Sequence, residues 1–412
     1  MEKPMNILVV SQYFWPENFR VNDLCAEMIK KGYSVTILTG EPNYTTGRKD
    51  QDYLDNKDKY NNYNGCEIVR VPLLERGDGK LQLICNYISY FISASTIGLW
   101  KLRKKNFDVV FVCQLSPVTI AIPAIIYRKI YSVPVVMWVL DLWPDSLKAV
   151  GTVKSEKILS IVNKLVRIIY NRCDLILGQS RSFVRTIEDN CSSSVNVDYF
   201  PSWAESIFEE QKSEDENINL ESDSFNILFA GNVGEAQDFP TILKALELLK
   251  LKSLSVKLHV VGDGRNLSKV REEVLTRELT DYVEFWGRYP LDDMPAFYRA
   301  ADVLFVSLKS SPTFSMTIPG KVQSYMMAEK PILASLEGEG EDAVLQSGCG
   351  LVSAPGHYNK LAENIEKMLC MQPQELLEMG AKGKEYASNE FDRDTLMLKL
   401  FEHFENVAVT KS

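Results

Sequence analysis

Two stretches of the chain open in the same way, and this repetition constrains the fold more than any other feature. Met5 to Ser11 (MNILVVS) is a short, mostly apolar run followed by a loop and a helical pattern with Leu24, Met28 and Ile29 on one side. Gly32 stops that pattern, and Tyr33 to Leu38 begins the next apolar run. Phe225–Ala230 starts the same grammar again, with GNVGEAQDFP as its loop, a helix over 241–251 and a strand at Val256–Val261. Strand, helix and strand in this order open a Rossmann-like parallel sheet. Runs at Glu67–Val71, Val109–Cys113, Val135–Trp138 and Leu175–Gly178 extend the first set. Runs at Val283–Trp286, Val303–Val306, Ile332–Ser335 and Gly350–Val352 extend the second. Each is apolar enough to be covered on both faces, as central parallel strands are. The expected fold is therefore α/β, two Rossmann-like domains facing across a cleft. Helices over about 374–388 and 392–407 end the chain.

Length and charge agree with two units. The chain has 412 residues, 45% of them apolar and 25% charged, which is long for one core and excludes disordered or collagen-like classes. Residues 1–203 carry 25 Lys/Arg against 20 Asp/Glu; residues 204–223 carry one Lys against eight acidic residues; residues 224–412 carry 20 against 27. The expected division is a domain over 1–203, an acidic linker over 204–223, a second domain over 224–388, and a helix with tail over 389–412. A net charge of -9 argues against broad nucleic-acid binding, while the basic first half can still meet an anionic surface. The eight cysteines include no close pair, and there are only three histidines. That pattern fits a reducing compartment rather than a zinc ribbon or a disulfide scaffold. No secretion signal is read at the start, since Ile7–Val10 is too brief.

The candidate site residues follow strands, where ligands bind in such sheets. The first post-strand loop, QYFWPENFR, holds Trp15, Asn18 and Arg20. It lacks a GxGxxG pattern and is bulky at Tyr13, Phe14 and Trp15, so a dinucleotide pyrophosphate has no close seat there. In the second half, amides around Gly231, Asn232 and Gly234 either cradle phosphate oxygens or simply form a tight turn. Pro319, Gly320 and Lys321 enter a helix, and a lysine in a helix's first turn is electrostatically misplaced. An anionic ligand would supply its reason, with Arg288 a weaker candidate for the same work. Asp141 in VLDLWPDS follows an apolar strand and can act as a base, orient a hydroxyl, or cap the next helix, and Asp145 can do likewise. Trp15 and Trp143 either stack on a sugar or brace the fold. No DxD metal motif stands out, since VGDG at 261–264 reads as a turn, so no metal or cofactor is expected beyond the substrate.

Taken together, QYFWPENFR at 12–20, GYSVTILTGEPNY at 32–44, VLDLWPDS at 139–146, FAGNVGEAQDF at 229–239, VGDG at 261–264 and IPGKVQSYMMAEKPIL at 318–333 resemble glycosyltransferase family 4. Within that family the resemblance is to the subgroup of O-antigen and capsule enzymes, which includes L-fucosamine and colanic-acid enzymes. The resemblance implies the GT-B fold, with the last helix returning to the N-terminal domain. It implies an acceptor-binding first domain, a nucleotide-sugar-binding second domain, and transfer of an N-acetylated sugar (6-deoxy in the case of L-FucNAc) from a UDP donor. The implied acceptor is a polyprenyl-diphosphate-linked saccharide of O-antigen or capsule synthesis.

This chain departs from the family pattern at several positions. Where many members have two glutamates, it has Met316 and Ser324; where many have Arg and Lys, it has Asn232 and Asp238, with Gln237 adjacent. Diphosphate charge must then come from elsewhere, which favours Lys321. Alternatives are hexosyl transfer of the colanic-acid type, a UDP-sugar 2-epimerase, which would turn over donor without lipid, and a non-catalytic sugar-nucleotide-binding partner.

Residues 84–100 (ICNYISYFISASTIGLW) carry no charge and lie beside Lys101, Arg103, Lys104 and Lys105. Residues 157–172 alternate basic and apolar positions at helical spacing. Both fit helices buried on a sheet, and both fit helices lying in a membrane interface. The expected location is the cytoplasm, peripheral at the inner face of the cytoplasmic membrane. Residues 42–65 read as a long, polar surface excursion.

Overall fold

The computed structural model describes residues 4–77, 79–149, 153, 155–204, 206–208, 218, 220 and 223–409. It forms two compact units, one of Met1–Pro201 with Asp394–Ser412 and one of Ser202–Arg393. Most of the acidic 204–223 segment lies outside the described residues. Its described part is not all hydrophilic joint, because Phe208 is buried in the second unit and stacks on Tyr298 with ring centroids 5.0 Å apart.

The first unit is built on strands β1 (Asn6–Val10), β2 (Ser34–Gly40), β3 (Asn62–Tyr63), β4 (Cys66–Val71), β5 (Val109–Gln114), β6 (Val135–Val139), β7 (Leu175–Gly178) and β8 (Asn196–Tyr199). Their spatial order is β3-β4-β2-β1-β5-β6-β7-β8, and all neighbours are parallel except β3 with β4. Ile7 to Val10 of β1 are fully buried, flanked in register by Val35–Leu38 and Val109–Val112. Helices on both faces are the physical reason for such unbroken apolar runs. The last helix, Arg393–Val409, belongs to this unit: Phe404 packs edge-on against Phe111 of β5, and Phe401 against Tyr33. Strands β3 and β8 escape the apolar-run criterion because they are short, partly exposed edge strands.

The polar 42–65 stretch is more than an excursion. It contains the short helix Gln51–Asp55 and β3, and Tyr53 and Tyr60 are buried. Its tyrosines supply the apolar surface that a count of charges hides.

The charge-free stretch forms the helix Lys80–Ser93, a π-helical turn Ala94–Gly98 and a final turn Leu99–Leu102. Tyr90, Ala94, Leu99 and Leu102 are buried against the sheet, and the Tyr90 hydroxyl donates to the Leu38 carbonyl at 3.2 Å. On the other side Leu81, Ile84, Ile88, Ile92, Ile97 and Trp100 are exposed. Steps of four from Ile84 to Ile92 become a step of five at Ile97, where the π-turn adds one residue and keeps the stripe on one face. Helix Glu156–Tyr170 repeats this division, with Leu159, Val166 and Ile169 buried and Ile158, Ile161 and Ile168 exposed.

The second unit carries β9 (Phe225–Ala230), β10 (Val256–Val261), β11 (Val283–Gly287), β12 (Val303–Ser307), β13 (Ile332–Ser335) and β14 (Gly350–Ser353), ordered β11-β10-β9-β12-β13-β14 and all parallel. A core centred on Ile227, Phe229, Leu258 and Val260 fills one face, and one centred on Leu228, Leu304, Tyr325 and Met326 fills the other. Helix Gly320–Met327 lies on the second face.

Candidate functional site

In the second unit, the loops after β9, β10 and β11 converge on an open pocket of ≈ 450 Å³ lined by Gly231, Asn232, Gly262, Asp263, Arg288 and Tyr289, among others. The β9 and β10 loops meet backbone to backbone. A Cβ on Gly262 would fall 1.9 Å from the Gly231 carbonyl oxygen, so no other residue fits there without moving the turn. Gly231 itself has φ +126°, and its amide donates to the Val261 carbonyl at 2.8 Å.

This geometry revises the expected amide cradle. The Val233 N–H donates to the Asp263 carbonyl at 2.8 Å, and the Gly234 N–H donates to the Gln237 side-chain oxygen at 2.9 Å. With Gly231 also committed, the Asn232 N–H remains the unused donor of the turn among the described residues. Gln237 thus closes the turn rather than reaching for a ligand. Ser324 is buried, and its hydroxyl donates to the Gly320 carbonyl one turn back at 3.1 Å. Gly320 is exposed at the helix start.

Lys321 is held differently. Tyr325 lies one turn along the same helical face and fixes its register, since its hydroxyl accepts from the Ala230 N–H at 3.3 Å. That places the Lys321 Nζ 3.5 Å from the Phe229 ring centroid, against the Gly231 turn, where a Cβ would lie 3.2 Å from it. Although the residue as a whole is only partly buried, its ammonium is enclosed by protein, and burial alone pushes its pKa down to about 7. Among the described residues no carboxylate pairs with it. Arg288 is exposed on the pocket wall, and no carboxylate pairs with it among the described residues.

The first unit gathers a separate constellation after β5 and β6. Trp143 Nε1 donates to Asp141 Oδ2 at 3.0 Å and lies 3.3 Å from the Ser116 hydroxyl. Ser116 and Ser146 also hydrogen-bond the Asp141 carboxylate. Burial raises the Asp141 pKa, and those three hydrogen bonds partly counter it. Gln114 Nε2 donates to the Asp141 carbonyl at 2.9 Å, fixing the backbone of the strand end. Trp143 is therefore an orienting partner of Asp141.

The remaining first-unit candidates do not join it. Trp15 is tilted against Tyr60 and Tyr63, with centroids 4.8 and 5.5 Å away, so it braces the 42–65 segment. Asn18 is exposed, and Arg20 opens the helix Arg20–Lys30. Asp145 opens the helix Asp145–Ala149 and lines a different depression with Lys148 and Glu156. A shallow depression of ≈ 500 Å³ lined by Arg128, Lys129 and Arg172 precedes β6 and β7, at the end of the sheet away from Asp141. No cluster of three or more His, Cys, Asp or Glu side chains is placed to hold a metal among the described residues.

Sequence reasoning missed Tyr87, Ser116 and Arg76. Tyr87 hydrogen-bonds Ser116 and feels the charges of both Arg76 and Asp141, so these four side chains form one chain of neighbours. Arg76 follows β4 as Arg288 follows β11, and the criterion that selected Arg288 would have found it.

Residues 224–371 match the family described as "Glycosyl transferases group 1". Over 241 residues the chain is 26% identical to the glycosyltransferase WbjE of Pseudomonas aeruginosa, covering 56% of this chain and 59% of that relative. It is 21% identical over 412 residues to WcaI of Escherichia coli K12, named for colanic acid biosynthesis, with 95% and 98% of the two chains covered. Among solved structures, sucrose-phosphate synthase of Thermosynechococcus elongatus superposes with a TM-score of 0.74 at 16% identity, covering 98% and 100% of the chains. Anabaena HepE, solved with UDP and glucose, gives 0.68 at 13% identity with 98% and 100% covered. The chain has the GT-B fold of these solved structures, and its second unit is the part that matches the glycosyl transferase family. Its relatives are bacterial sugar-transferase families.

Proposed function

We propose that the protein transfers a sugar from a UDP-sugar donor to a hydroxyl of a polyprenyl-diphosphate-linked saccharide in O-antigen or capsular polysaccharide synthesis. The observation that carries the donor half is Lys321, an enclosed ammonium without a carboxylate partner among the described residues, set against the glycine turn of the β9–β10 pocket. An anionic diphosphate supplies the missing counter-charge, and the same contact stabilises the UDP that leaves. The UDP bound to Anabaena HepE supports the choice of nucleotide. In the first unit, Asp141 orients the acceptor hydroxyl or takes its proton, held for that task by Trp143, Ser116 and Ser146. An N-acetylated sugar, L-FucNAc among the candidates, is the proposed donor residue. The likeness to WcaI supports hexosyl transfer of the colanic-acid type as a second reading.

Attachment to an anionic membrane surface belongs to the same proposal. The exposed stripe Leu81, Ile84, Ile88, Ile92, Ile97 and Trp100 runs into exposed Lys101, Arg103 and Lys104. The helix Glu156–Tyr170 likewise exposes Ile158, Ile161 and Ile168 beside Lys157, Lys164 and Arg167. Among the described residues one helical stretch, Leu81–Leu102, is long and apolar enough to cross a membrane, but its Tyr90 side packs on the sheet. Apolar side chains entering the acyl boundary beneath a basic rim describe interfacial binding.

Calorimetry with UDP-, GDP- and dTDP-sugars, followed by transfer assays with the tightest binder and a lipid-linked acceptor, tests the activity. Tight binding of a UDP-sugar and transfer of its label to lipid are expected. Turnover of donor without acceptor would point to an epimerase, and binding without transfer to a non-catalytic partner.

A further inference from the structure

Arg76 is a half-buried arginine of the first unit that no carboxylate neutralises among the described residues. Buried Arg70 spends its guanidinium on the carbonyls of Tyr60, Gly40 and Trp15, and Arg128 pairs with Asp174 at 2.7 Å. Arg76 donates one hydrogen bond, from Nη1 to the Tyr13 hydroxyl at 2.8 Å. Its guanidinium carbon lies 4.6 Å from the Tyr44 ring centroid and 5.7 Å from that of Tyr13. No carboxylate is paired with it among the described residues. A guanidinium carries five N–H donors in a planar fork suited to phosphate oxygens, so most of its capacity is unused.

The surroundings hold it still. Asn86 Nδ2 donates to the Leu74 carbonyl at 2.6 Å, and the Ser89 hydroxyl accepts from the Leu74 N–H at 2.9 Å, tying the post-β4 loop to the following helix. Asn86 Oδ1 accepts from Gln12 Nε2 at 2.7 Å and Gln12 Nε2 lies 3.3 Å from the Tyr13 hydroxyl, which fixes the phenol that Arg76 meets. Tyr87 lies within electrostatic reach of both this cation and Asp141, and it hydrogen-bonds Ser116, which in turn bonds the Asp141 carboxylate. Five residues beyond Arg76, Leu81 begins the exposed apolar stripe of the same helix that carries Tyr87. A fixed cation thus neighbours, through Tyr87 and Ser116, a carboxylate suited to a sugar hydroxyl, and its loop leads into a helix with an exposed hydrocarbon face.

We propose that Arg76 binds the phosphate of an isoprenoid phosphate-linked acceptor, with the sugar directed toward Asp141 and the hydrocarbon along the Leu81–Ile92 face. The proposal rests on the acceptor side of the function proposed above. The bidentate guanidinium takes phosphate oxygens, and the tyrosine faces stack on the cation and shield it from water.

The test is titration of farnesyl diphosphate, farnesol and inorganic diphosphate into the full chain, with UDP saturating so that the Lys321 pocket is filled. UDP binding alone is measured first, and its absence overturns the donor reading independently of Arg76. Farnesyl diphosphate is expected to bind at least about tenfold more tightly than either of the other two. Arg76→Gln should remove about tenfold or more of that affinity while farnesol binding stays level, and Arg76→Lys should restore part of it. On the unaltered protein, farnesyl diphosphate should protect Arg76 from phenylglyoxal modification, read by peptide mass spectrometry, and this arm does not depend on any variant folding. Unprotected Arg76, equal losses for farnesol and farnesyl diphosphate, or inorganic diphosphate binding as tightly as the lipid would each overturn the proposal.

Discussion

Donor binding at Lys321 should take up a proton. In the free protein burial holds the lysine pKa near about 7 instead of its ordinary 10.5, so near pH 7 the group is divided between ammonium and amine. A diphosphate binds the ammonium and raises its pKa, so affinity is full below about 7 and falls as pH rises through that value. With a free pKa near 7, about nine-tenths of the lysine is charged at about pH 6 and about one-tenth at about pH 8. Apparent affinity should therefore weaken about tenfold across that interval, about 1.4 kcal/mol. UDP-N-acetylglucosamine is a suitable probe, because its diphosphate stays fully ionised throughout. Calorimetry at about pH 8 in two buffers of different ionisation enthalpy should report close to one proton absorbed per donor bound. Lys321→Met should lose about 1.5–3 kcal/mol of affinity at the lower pH, and its residual binding should not vary with pH. It should also melt no lower than the parent, since an apolar side chain replaces an amine that the fold already desolvates. No proton uptake in the parent, or the same pH dependence in the variant, refutes the reasoning. The stability side has the opposite sign. The native lysine binds fewer protons than the unfolded one between about 7 and 10.5, so its contribution grows with rising pH in that window.

Three further outcomes follow from the same geometry. Asp141→Asn keeps the Trp143 and serine contacts in shape but removes the base, so transfer should fall about 100-fold or more while donor affinity, measured by calorimetry, stays unchanged. Replacing Ile84, Ile88 and Ile92 together by Ser should abolish co-flotation with phosphatidylglycerol vesicles at low salt without lowering the melting temperature, because these side chains are already exposed; retained flotation would count against membrane docking by this face. Gly262→Ala should destabilise the second unit by about 2 kcal/mol or more in denaturant unfolding, since its Cβ meets a backbone carbonyl that cannot yield without opening the pocket wall.

What the amino-acid sequence revealed, and what it hid, divides along a physical line. The strands of both sheets other than β3 and β8 were readable because unbroken apolar runs between helical segments have few structural uses. Lys321 was readable because a cation in the first helical turn opposes the dipole, a local conflict visible without coordinates. The status of the Gly231–Gly234 amides was hidden, because it depends on which side chain turns back to meet them. Gln237 does so at Gly234, and carbonyls of β10 and its loop commit Gly231 and Val233, leaving Asn232. Arg76 was hidden for a related reason. Its neighbours Tyr13, Asn86, Tyr87 and Ser116 come from the β1 loop, the Lys80–Ser93 helix and the β5 loop, and only the strand order makes them one cluster. Both hidden features concern whether a donor is already used, which is a property of its neighbours. The two cations proposed to bind substrate, Lys321 and Arg76, are both at least partly enclosed, and among the described residues neither is paired with a carboxylate. A ligand of matching charge removes a cost that folding leaves in place, which gives each site its preference for an anion.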